Sequence, residues 1–138
     1  MTVAQRVAIC FAAGVVGALA VVVLSHVLFA VGLSGQLGVM APVSLKSPDI
    51  YKPLFWGGLW GIPFGLLIGA VWTRLYLFGF LYFLAPMAAL FLFFLPMAGA
   101  GYFGLRQGPL LAVYLLLVNL PFGIVTALVA RAIIGERP

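Results

Sequence analysis

Acidic residues are almost missing from this sequence: Asp49 and Glu136 are the only two in 138 residues, and with seven lysines and arginines they bring the charged fraction to just 7%. Soluble domains carry roughly 25%, so water is not the main solvent for this chain. A single cysteine, Cys10, excludes an internal disulfide and leaves the redox compartment unreadable. Inside an apolar run it reads as a packing residue. A single histidine, His26, excludes the paired ligands of a bis-histidine heme. No HExxH, CxxC, phosphate-loop or nucleophile-elbow pattern occurs, and an intramembrane hydrolase needs polar residues that are not here. An enzyme is not expected.

Hydrophobic residues make up 66% of the chain, and the few charges divide it into four uncharged runs: Val7 to Leu45, Pro53 to Thr73, Leu75 to Leu105 and Gln107 to Ala130. Each run supplies the roughly 20 residues that a helix needs to cross a hydrocarbon core of about 30 Å. The alternation of a membrane barrel is absent, so the spans should be helices that satisfy their own backbone groups. The expected fold is all-α, a single transmembrane domain over residues 1–138. Its helices lie near Val7–Leu33, Leu54–Trp72, Tyr76–Phe103 and Leu110–Ala130, with an outer loop over 34–53. The first run is too long for a signal-peptide core and lacks a small-x-small cleavage site, so it is read as a retained helix.

The formal charge of +5 comes from residues scattered one or two per connection, which forms no nucleic-acid patch. Topology accounts for them better. With the N-terminus inside, Arg6, Arg74, Arg131 and Arg137 face the cytoplasm while Lys46, Lys52 and Arg106 face out. Four against three is a small bias, which favours both termini inside and leaves dual insertion as the alternative. Trp56 and Trp60 sit at one end of the second span and Trp72 at the other, and Trp56 and Trp72 stand about 24 Å apart along the helix, near the spacing of two interfacial belts.

Several motifs carry the remaining information. Gly57, Gly61, Gly65 and Gly69 put glycine on one helix face at every fourth residue, which lets another backbone approach closely. Gly14 and Ala18 in the first span form a plausible answering face. Pro63, Pro86, Pro96 and Pro121 fall within spans, and each removes a donor and favours a kink. Gly61-Ile62-Pro63-Phe64-Gly65-Leu66 matches Asn119-Leu120-Pro121-Phe122-Gly123-Ile124 at an offset of 58, which suggests a repeated helical hairpin. Asn119 is the one amide near the middle of a span. It reads as an interhelical hydrogen bond or a partner for the carbonyl that Pro121 leaves free, and alternatively as a ligand or pathway contact. His26 is the corresponding candidate for heme or pigment ligation.

Three functional readings follow. The first is an accessory or structural subunit that docks on other membrane subunits or on its own copies within the lipid bilayer, with no cofactor, no metal and no nucleic acid. The second is a small oligomeric channel or transporter. Four helices, a small charge bias and intramembrane Phe with one Asn resemble in outline the dual-topology fluoride channels and the small multidrug transporters. The first span, however, has no membrane carboxylate, and the third has Pro-Met-Ala units in place of a Ser/Thr break. The third reading is a heme- or pigment-binding subunit resting on His26. Compactness and composition suit a bacterial-type inner membrane.

Overall fold

A computed structural model describes residues 1–136, which leaves Arg137 outside the described residues. The described chain is helical, with no strand. It opens with α1, Val3–Ala30, and a short α2, Leu33–Gln36. After the outer loop come α3, Tyr51–Val71, a 3-10 turn at Trp72–Arg74, α4, Leu75–Tyr82, and α5, Leu84–Ala89. A π-turn over Leu90–Phe94 leads into α6, Leu95–Met97, and a 3-10 segment follows at Tyr102–Gln107. The chain closes with α7, Pro109–Asn119, and α8, Pro121–Ile134.

Three helical runs are long and apolar enough to cross a membrane: Val3–Ala30, Tyr51–Met97 and Pro109–Ile134. The second run has 47 residues, and a straight helix of that length would measure about 70 Å. It is not straight. The rings of Trp56 and Phe94 lie 5.4 Å apart, as do those of Phe64 and Phe78, so the run doubles back on itself. Reversal occurs at the 3-10 turn, where Val71 (φ −107°, ψ 9°) and Arg74 (φ −124°, ψ 34°) leave helical geometry. The secondary structure therefore departs from four separate long helices. Two arms are joined without a loop, and the segments are interrupted at Phe83, over Leu90–Phe94 and at Leu120.

Two boundaries differ from the sequence reading for identifiable reasons. Helix α1 begins before Arg6 because Thr2 and Gln5 form a capping box, the Thr2 hydroxyl accepting from the Gln5 N–H and the Gln5 side chain accepting from the Thr2 N–H. The arm expected to run to Phe103 stops at Met97. Gly99 and Gly101 adopt positive φ (85° and 80°), which ends the helix in the manner of a glycine cap, and the Ala100 N–H returns to the Leu95 carbonyl.

Glycines set the packing. A Cβ on Gly57 would stand 2.6 Å from the Gly14 carbonyl, and one on Gly65 would stand 2.9 Å from the Arg6 carbonyl. Gly61 lies against the Cys10 carbonyl, and Ala18 meets Gly57. The whole ladder, with Gly14 and Ala18, thus lies in the α1–α3 contact. Gly17 lets α1 meet Phe122 and Thr126 of α8. Gly79 of α4 and Gly123 of α8 make a further backbone crossing. The result is a closed ring in which α1 touches α3 and α8, while the returning arm touches α3 and α8. Phe64, Ile68, Leu75 and Phe122 fill its centre.

Candidate functional site

Within this ring a cavity of about 300 Å3 lies on the side of the bundle that carries the loop between α2 and α3. All four faces of the ring contribute. Its inner wall is Ala18, Met87 and Phe122, each buried, and its rim is Trp56 and Phe94, set edge to face and both exposed. Trp60, Leu90 and Asn119 complete the part that matters chemically.

Helix breaks create this space. Pro86 cannot donate an amide hydrogen, and α4 gives way to α5 at Phe83, three residues earlier. Pro96 likewise leaves the Leu92 carbonyl without its usual donor, and the backbone widens into the π-turn over Leu90–Phe94 just before it, with the Leu95 N–H reaching the Leu90 carbonyl. Pro121 interrupts the third run, where the Leu120 N–H makes only a long 3.4 Å bond to the Leu117 carbonyl. Two of these breaks, at Pro86 and before Pro96, line the same cavity as Asn119, directly beside the third.

Asn119 Nδ2 donates to the Leu115 carbonyl at 2.8 Å. That bond takes one of its two donors and holds the amide against its own helix. The rest of the amide is the one side-chain acceptor in a lining otherwise made of apolar residues and aromatic rings. On the opposite wall, the Tyr82 hydroxyl donates to the Trp60 carbonyl, one residue from the Leu59 carbonyl whose helical partner Pro63 lacks. The cavity therefore combines aromatic faces, which accept apolar or ring-bearing molecules, with one amide set partway along the membrane that can both donate and accept.

His26 lies elsewhere. Its Nε2 donates to the Val43 carbonyl at 2.9 Å, and the Val43 N–H donates to the Ser25 hydroxyl at 3.2 Å, so the two side chains pin the loop between α2 and α3 to α1. Only Nδ1 is left for a metal, and no group of three His, Cys, Asp or Glu side chains forms a metal-binding cluster among the described residues. Asn119 and His26 are thus not brought together. Trp72 packs against the protein and not outward into lipid: it is 9% exposed, with the Arg131 guanidinium over its ring.

Trp56 and Trp60 are the site residues that a reading of the sequence as interfacial anchors passes over. Their position opposite a proline-broken arm depends on the hairpin. The nearest signal in the sequence is Pro86 and Pro96 flanking a phenylalanine cluster, which marks a bent surface but not what faces it. No family model, curated protein or solved structure matches this chain.

Proposed function

We propose that this chain is an integral membrane protein with four spans, the two arms of the doubled-back run each crossing once, and that it acts by binding and not by catalysis. Its termini lie on the cytoplasmic side of a bacterial-type inner membrane, and its halves are two related hairpins. The bound species is a small, largely apolar molecule carrying one hydrogen-bonding group, taken up from the bilayer. A single observation supports this reading most: the aromatic cavity and its one amide lie where three proline-associated breaks converge. A bundle needing only stability would close such a space, since unfilled volume forfeits packing contacts.

Tryptophan quenching tests it. In nanodiscs of a Trp72→Phe background, a brominated octanamide should quench Trp56 and Trp60 saturably, brominated octane should bind less tightly, and Asn119→Leu should erase that difference. One hydrogen bond of about 1 kcal/mol corresponds to roughly fivefold in affinity. Quenching that rises without saturation and ignores Asn119 would mean that the cavity holds only bulk acyl chains.

The accessory-subunit reading retains one supporting observation. The loop pinned by His26 and Ser25 exposes Met40 and Leu45 outside the helical arms, an apolar surface suited to another membrane subunit. Mild-detergent extraction and a native gel separate the two readings: a larger complex that dissociates on Met40→Ser with Leu45→Ser favours docking, while an unchanged monomer or dimer disfavours it.

A further inference from the structure

The end of the bundle opposite the cavity gathers three arginines around one turn. Arg74 belongs to the Trp72–Arg74 turn itself. Arg131, near the end of α8, places its guanidinium carbon 5.5 Å from the centre of the Trp72 ring and 5.4 Å from that of Tyr76. Arg6, in the first turns of α1, rests its Nη1 on the bare Cα face of Gly69, where a Cβ would stand 2.5 Å away. Its Nε is buried and finds no hydrogen-bond partner among the described residues. Asp49 belongs to the opposite end, and Glu136 follows α8 without forming an ion pair with these arginines among the described residues.

We infer that this turn is a binding site for the phosphate of an anionic phospholipid headgroup. Arginine presents planar, paired donors that match a phosphate, and two aromatic rings attract the Arg131 guanidinium while the residue stays exposed. Dipole compensation at the C-terminal end of α3 explains one cation near Gly69, and cytoplasmic orientation explains positive charge in general. Neither explains a guanidinium set over two rings at the same end of the bundle as two more arginines. The depth is also suitable, since the turn joins two membrane arms and therefore lies at headgroup level. The site rests on each arm crossing the membrane, as proposed above, and not on what occupies the cavity.

Native mass spectrometry of the full chain, exchanged from phosphatidylcholine into mixtures with phosphatidylglycerol, reads the site directly. The expected result is saturable retention of phosphatidylglycerol, reduced by at least about fivefold in Arg131→Lys, which keeps the charge but loses the planar fork. Tyr76→Leu and Gly69→Ala should each reduce it less, by removing one ring or displacing Arg6, and Lys46→Gln with Lys52→Gln should leave it unchanged. Equal retention in wild type and in all three turn variants would overturn the site and reduce the arginines to general surface charge. Displacement by soluble glycerol phosphate at concentrations comparable to the lipid would overturn the lipid as ligand in favour of a free phosphate ester.

Discussion

The two halves of the chain carry the same Pro-Phe-Gly tripeptide and use it differently. In the first half, Pro63 lies inside an uninterrupted α3, and Phe64 is fully buried. In the second, Pro121 separates α7 from α8, although Phe122 is also buried and Gly123 also meets a neighbouring backbone. The difference lies in what the helix leans on. Helix α3 is in close backbone contact with α1 at Gly57, Gly61 and Gly65, so the proline is braced on both sides. The last run has such a backbone contact with the facing arm only below the break, where Gly123 of α8 meets Gly79 of α4. Above it that arm is itself broken at Pro86 and Pro96, and it meets α7 without a glycine crossing. Identical local chemistry thus gives a rigid wall on one side of the cavity and a broken one on the other.

The strongest way to break this comparison is to remove the brace. Gly61→Leu would drive a side chain into the Cys10 carbonyl, and it should destabilise the bundle by about 3 kcal/mol or more, measured by denaturant unfolding in detergent. Gly35→Leu, where nothing lies within 4 Å, should leave the same midpoint nearly unchanged. If both variants behave alike, backbone contact is not what holds α3.

A second test exchanges the prolines for alanine. Pro121→Ala restores a donor for the Leu117 carbonyl, and it should slow hydrogen exchange around Leu117–Phe122 by about tenfold, a gain of roughly 1.4 kcal/mol in local stability. Pro63→Ala should change exchange in α3 less, because that helix is already continuous. The reverse order would mean that the second break is imposed by its surroundings and not by proline.

Smaller effects sharpen the picture. Tyr82→Phe removes the bond to the Trp60 carbonyl and should cost about 0.6 kcal/mol, the average for such bonds in a membrane, read from the same unfolding curves. Ser25→Ala with His26→Phe should change the unfolding midpoint by less than about 0.5 kcal/mol while making the outer loop more open to protease, since only the loop anchor is lost. A large loss of bundle stability would show that the loop is an integral part of the core.

Much of this architecture could be anticipated from the distribution of charge and glycine. Long uncharged runs interrupted by Arg74 and Arg106 mark where apolar helix gives way to polar turns, and a four-residue glycine spacing marks a face that a second backbone can approach. Other features were hidden for physical reasons. Thr2 and Gln5 extend α1 past a charged residue, because capping outweighs the cost of Arg6 near an interface. Gly17, Gly79 and Gly123 make close crossings without belonging to a regular ladder. Trp56 and Trp60 look like interfacial anchors because a one-dimensional pattern shows how deep a residue lies but not what it faces.

By itself the sequence determined the solvent, the helical class and the sharpest packing face, since these depend on burial of apolar residues in lipid and on the spacing of side chains along one helix. Only the tertiary structure decided that the glycine face is spent within the chain, that Asn119 looks into an aromatic cavity, and that Arg6, Arg74 and Arg131 surround one turn. Each of those facts joins residues far apart in the chain, and the distance between them is set by how helices cross, which no local pattern of residue types records.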